Sequence, residues 1–182
     1  MRTSAFAAVA VLATSALAAC GSTGGDGAAT SGAEGGAENA KVAFLMPDLA
    51  STRYEQQDKP LFEAKMKELC PSCSVIYQNA DSDAAKQQQQ ANSALAQGVK
   101  AIVIDPVDST AAATIVRAAQ AQQVPIIAYD RPIPSTPADY YISFDNEKIG
   151  SLIAQSLVDH LKAENAEGGI LQVNGSPTDA AA

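Results

Sequence analysis

Basic residues are scarce in this chain: 12 Lys and Arg stand against 20 Asp and Glu across 182 residues, for a net charge of −8. No basic stripe interrupts that balance, which excludes a nucleic-acid partner, because phosphate recognition draws on clustered lysine and arginine. Histidine occurs once, at His160, far from Cys70 and Cys73. Such a set is too thin for a zinc centre, and His160 reads as a solvated helix residue. The sequence also lacks a nucleophile elbow, a phosphate-binding glycine loop, a dinucleotide glycine triplet and any metal-ligand cluster. Nothing positive argues for an enzyme or a cofactor. The run of Gln87, Gln88, Gln89 and Gln90 reads as a solvated helix face without function.

Long apolar runs are missing apart from residues 5–18, which follow the lone basic residue Arg2. That stretch is too short to span a bilayer and reads as the apolar part of a secretory signal, residues 1–19. It ends in Leu17-Ala18-Ala19-Cys20, which resembles a bacterial lipobox and implies a lipid-modified Cys20 as the mature N-terminus. Residues 20–40 then form the lipidated cysteine and a Gly/Ala/Ser/Thr tether that cannot bury enough surface to offset its chain entropy. A chain of that length has an r.m.s. span of roughly 25 Å. Loss of Arg2 leaves 11 bases against 20 acids, a net charge of −9. The expected location is the outer face of the cytoplasmic membrane, as a lipoprotein, or the periplasm.

From Lys41 onward short apolar runs alternate with helical periodicity. Val42 to Met46 ends at Pro47, and Tyr54, Leu61, Phe62, Met66 and Leu69 then recur at helical spacing. The pattern repeats as a strand at 75–77 and a helix at 83–97 with Gly98 as its C-cap, then a strand at 101–104 and a helix at 110–122, then a strand at 125–128. A strand at 140–144 and a helix from about Asn146 follow, with Ile149, Leu152, Ile153, Leu157 and Leu161 on one face; 169–173 is the last strand candidate. Such alternation predicts an α/β fold: a parallel sheet with helices on both faces.

In such sheets ligands sit beyond the carboxyl ends of the strands. The strand ends here supply Asp48, Arg53 and Tyr54, then Asp105, then Asp130 and Arg131, then Asp145 and Asn146. A carboxylate accepts hydrogen bonds and a guanidinium donates them, so the adjacent Asp130 and Arg131 can hold a hydroxyl group from both sides. Tyr54 offers a flat face of the kind that stacks on a pyranose. Asp105 precedes Pro106 and reads as a turn organiser, while Asp108 is placed to cap the following helix. Asp145 and Asn146 suit a helix cap and a ligand contact equally. Cys70-Pro71-Ser72-Cys73 falls where a helix ends, where the dipole disfavours a thiolate, so a structural disulfide is expected in preference to a redox centre.

Taken together, Asp48-Leu49 with Arg53-Tyr54, Ala128-Tyr129-Asp130-Arg131, the run from Tyr141 to Lys148 and Gly175-Ser176-Pro177-Thr178-Asp179 resemble the xylose-binding-like branch of the ribose-type, type I periplasmic sugar-binding lipoproteins of bacterial ABC importers. The resemblance implies a two-lobed clamp that closes on an aldose, xylose or a related pentose or hexose, and delivers it to a membrane permease. It implies that Arg53 and Arg131 donate to sugar hydroxyls, Asp130 accepts from them, Tyr54 flanks the ring, and Asp145 and Asn146 contact it near the hinge. Tyr54 stands where relatives often carry tryptophan. Residues 41–144 would be the N-terminal lobe and 145–182 the incomplete start of the second, so the chain looks truncated and is expected to bind sugar weakly or not at all on its own. Competing readings are a receptor for another small polar solute and an exported thiol-disulfide oxidoreductase built on Cys70 and Cys73. A repressor core of the same fold would need a basic DNA-binding segment in place of the lipobox.

Overall fold

Residues 38–181 are described by the computed structural model; the expected signal, Cys20 and most of the tether lie outside them. The apolar runs become five strands: β1 (Lys41–Met46), β2 (Ser74–Asn79), β3 (Ala101–Ile104), β4 (Ile126–Tyr129) and β5 (Tyr140–Ile142). They form one parallel sheet in the order β2-β1-β3-β4-β5. The chain order reverses at β1, so the loops leaving β1 and β3 diverge and open a crevice at the carboxyl edge.

Side chains alternate across the strands, and the two faces are covered unequally. Ala43, Leu45, Ile102, Ile104, Ile126 and Ala128 point to the face packed by α2 (Ala84–Ala96) and α3 (Ala113–Gln120), which close the main core with Ala91, Ala94, Leu95, Ile115, Val116 and Ala119. The other face, with Phe44, Met46, Val75, Tyr77 and Val103, takes α1 (Lys59–Leu69). There Phe62 stacks on Phe44 with ring centroids 4.2 Å apart. Past α1 this face opens as a groove of about 350 Å³ lined by Leu61, Val103, Ile127, Tyr129 and Ile142 among others.

Local chemistry sets the helix ends. Asp83 caps α2 by accepting from the Lys86 N–H at 2.9 Å. Gly98, at φ +72°, ends it: the Gly98 N–H donates to the Leu95 carbonyl and the Val99 N–H to the Ala94 carbonyl, the paired bonds of a Schellman motif. Asp108 accepts from the N–H groups of Thr110 and Ala111 at 2.8 Å each. This turn delays regular α-helix to Ala113, later than the periodicity predicts. Before α1, Tyr54–Asp58 forms a wider π-helical turn, with the Lys59 N–H reaching back to the Tyr54 carbonyl. Pro60 next to it has no N–H and its ring crowds the carbonyl four residues earlier, so the backbone widens there.

Two expectations fail. Gln87 and Gln90 are not solvated: Gln87 is 2% exposed, its amide donates to the Asp105 carbonyl at 2.8 Å and accepts from the Val107 N–H at 2.9 Å, and Gln90 donates to the Asn79 carbonyl. They tie strand ends to α2. Residues 169–173 form no strand, and Ile170, Leu171 and Val173 are exposed; a strand exists by pairing, and the segment pairs with none of the five strands. The amphipathic helix expected from Asn146 does form, as α4 (Asn146–Ala163), but none of its residues is buried.

Candidate functional site

The end of β4 is a strained turn. The Arg131 N–H donates to the Tyr129 carbonyl at 2.8 Å around Asp130, whose φ is +64°. A three-residue turn of positive φ is rare for a residue with a Cβ and costs about 1–3 kcal/mol. Two contacts from β5 hold it: the Asp130 N–H donates to the Ile142 carbonyl at 2.8 Å, and the Tyr141 hydroxyl donates to the Asp130 carbonyl at 3.1 Å. Its result is that the neighbouring Asp130 and Arg131 serve different partners above the same sheet edge.

Asp130 reaches toward β1. Its carboxylate lies 3.0 Å from Arg53 Nη2, and Arg53 Nε donates to Asp58 at 3.0 Å. The Arg53 guanidinium also lies 5.0 Å from the Tyr54 ring, 5.7 Å from Phe144 and 5.9 Å from Tyr129, an aromatic surround that favours a cation. Burial works against charge on Arg53, yet Asp130 and then Asp58 outweigh it and hold its pKa above the usual range.

Arg131 reaches inward. Its Nη1 donates to the Pro106 carbonyl at 3.0 Å, its Nε lies 2.9 Å from Asp179 and 3.6 Å from Asp105, and its Nη2 lies 3.6 Å from Asp48. Asp105, read from sequence as a turn organiser, is instead fully buried, its carboxyl facing the Tyr54 hydroxyl and, at 3.6 Å, Arg131 Nε. Burial pushes its carboxyl up to about 7 against the opposing pull of Arg131. Asp48 divides its oxygens: one accepts from the Ser51 N–H at 2.8 Å and the other faces Arg131.

The structure therefore brings Asp48, Arg53, Asp130 and Arg131 together with Asp58, Asp105 and Asp179. Tyr54 joins them differently from expectation. Its ring is 3% exposed because the π-helical turn rotates it into the sheet, so no flat face is open for stacking. Burial and then the Asp105 carboxylate drive its phenol pKa well above the ordinary range. Asp145 caps α4, accepting from the Lys148 N–H at 2.8 Å, and Asn146 is exposed. No hydrogen bond or ion pair links either to the cluster among the described residues; Phe144 beside them reaches Arg53 instead. Sequence reasoning passed over Gln87, though it shares the α2 face of Ala91, Ala94 and Leu95 at helical spacing, a usable signal of burial.

Cys70 and Cys73 form the expected disulfide, with Cα atoms 5.3 Å apart, at the C-terminal end of α1. Neither that position nor any comparison supports the oxidoreductase alternative.

Chemically, five carboxylates surround two guanidiniums. The surplus of acceptors over donors repels anions and suits a neutral ligand rich in hydroxyl groups.

Comparison with known proteins gives the family. The chain is 33% identical over 143 residues to the D-xylose-binding periplasmic protein of Escherichia coli (strain K12), covering 79% of this chain and 41% of that one. It is 32% identical over 147 residues to the multiple sugar-binding periplasmic receptor ChvE of Rhizobium radiobacter, covering 79% and 40%. An ABC transporter solute binding protein from Clostridium phytofermentans, solved with bound β-D-glucose, superposes with a TM-score of 0.70 at 28% identity over 78% of this chain and 44% of that one. The chain thus spans about 40% of the length of the curated relatives it matches, and its sheet has their type I fold. Residues 42–182 match the family model described as periplasmic binding protein domain, and the chain belongs to that family, among relatives that are sugar-binding proteins.

Proposed function

We propose that this chain carries the sugar-binding lobe of the solute-binding component of an ABC importer, taking an aldose such as xylose or a related pentose or hexose toward a permease. In this reading residues 41–144 are the first lobe, 145–182 begin the second, and Asp48, Arg53, Asp130 and Arg131 contact the sugar hydroxyls. The hydroxyl edge of Tyr54 lines the floor, and Asp145 and Asn146 lie at the lobe boundary. Lipidation at Cys20 would hold the domain at the envelope surface. The assignment is to binding, with no reaction step.

The observation that carries it is the meeting of Arg53 with Asp130 and of Arg131 with Asp48 and Asp105 at the carboxyl ends of three strands, where donors and acceptors alternate. Relatives named for xylose and multiple sugars support the ligand class. Titrating the isotopically labelled chain with D-xylose, D-glucose and a purine nucleoside tests it. Weak amide shifts, developing only at high aldose concentration and absent with the nucleoside, are expected from this one lobe; the reverse preference would assign the site to another polar solute.

A further inference from the structure

The guanidinium of Arg131 has a single Nε–H and two carboxylates competing for it. Asp179 stands at 2.9 Å and Asp105 at 3.6 Å. One N–H cannot serve both well, and Asp105 is the loser: it is fully buried, with the Tyr54 hydroxyl as the donor left facing it. The winner comes from a segment that docks on the loop after β3, where the Ser109 N–H donates to the Thr178 carbonyl at 3.1 Å and the Ala180 N–H donates to the Ser109 hydroxyl at 3.1 Å. The other end of the guanidinium is pinned, since Nη1 stays on the Pro106 carbonyl, and Gln87 fixes the Asp105-Pro106-Val107 backbone through bonds on both sides of the proline. Arg131 is therefore held at Nη1 while its Nε lies between two carboxylates, nearer to Asp179.

We propose that Asp105 is a positioning residue for Arg131, and that residues 176–180 act as a latch: docked, Asp179 draws the Nε–H outward; released, the guanidinium turns onto Asp105. This rests on the sugar-binding reading, in which the outward position offers donors to a ligand and the inward position withdraws them. The groups facing Asp105 are Tyr54 from the turn after β1, Asp48 and Arg53 near it, Asp130 and Arg131 from the end of β4, and Asp179 from the latch. Of these, Arg131 is the cation able to approach it. A buried carboxylate that gains a guanidinium hydrogen bond titrates lower, so the position of Arg131 is readable from Asp105 itself.

The test follows the Asp105 side-chain carboxyl carbon by NMR across pH in the unmodified chain, in Asp179→Asn and in Ser109→Ala. Asp179 is partly exposed, so the near-isosteric amide leaves the core untouched. Expected is a fall in the Asp105 midpoint of about one pH unit in Asp179→Asn and a smaller fall in Ser109→Ala. An unchanged or raised midpoint in either variant overturns the proposal, Ser109→Ala being the one that loosens residues 176–180 without removing a charge. No sugar is used, so failure of the sugar-binding reading would show separately, as absent shifts on aldose addition with the Asp105 response intact.

Discussion

Arg53 Nη2 lies 3.0 Å from the Asp130 carboxylate, joining the turn after β1 to the strained turn that ends β4. Both side chains are partly exposed, at 35% and 19%, so solvent screening limits what the pair contributes. In a double-mutant cycle with Arg53→Gln and Asp130→Asn, followed by urea unfolding, the coupling is expected to stay within about 1 kcal/mol. A much larger coupling would mean that the pair is a stability element and that its geometry need not serve a ligand.

The positive φ of Asp130 predicts an order among substitutions. Asp130→Gly relieves the strain and Asp130→Ala does not, so the glycine variant is expected to be the more stable of the two by about 1 kcal/mol despite its greater unfolded-state freedom. Urea midpoints decide the matter, and an alanine variant at least as stable would remove the strained turn from the account.

Asp105 makes stability depend on pH in a definite sense. Its folded-state carboxyl keeps a proton up to about pH 7, whereas the unfolded chain releases it near the ordinary value of 3.8. Between those limits the folded state binds more protons, so stability falls as pH rises, by at most ~1.4 kcal/mol per pH unit for one proton, and levels off above about pH 7. Chemical denaturation across that range is expected to show the slope in the unmodified chain and to lose it in Asp105→Asn. A slope that survives the substitution must come from another group.

Closing so short a loop, the Cys70–Cys73 disulfide is expected to stabilise the fold by no more than ~2 kcal/mol in the chain-entropy view. Denaturation with and without reductant measures that, and an insulin-reduction assay of the same protein is expected to show no turnover. Turnover would bring back the oxidoreductase reading.

What the sequence made legible follows from local physics. Continuous apolar runs mark β1 and β3 because most of both their faces is buried, Ile126 and Ala128 mark the buried face of β4, and Gly98 and Asp83 mark the ends of α2 by backbone and capping chemistry. Asp130 and Arg131 stood out because polar residues end a buried strand. The rest depended on packing that composition conceals. Gln87 and Gln90 carry polar side chains into a buried helix face, Tyr54 turns inward because Pro60 widens the turn ahead of α1, and Asp105 lies beneath Arg131 and not in the turn beside it. Residues 169–173 have strand composition, but pairing is decided by a neighbour that local sequence does not contain.

The central claim is that the cluster around Asp130 and Arg131 receives an aldose. The most direct measurement compares amide and arginine side-chain shifts on titration with D-xylose in the unmodified chain, in Asp130→Asn and in Arg131→Gln. The account predicts weak shifts, approaching saturation only at high sugar concentration, confined to the carboxyl edge of the sheet at Asp48, Arg53, Asp130 and Arg131 and lost in both variants. Shifts that persist in both, or that map to the groove beside α1, would contradict it.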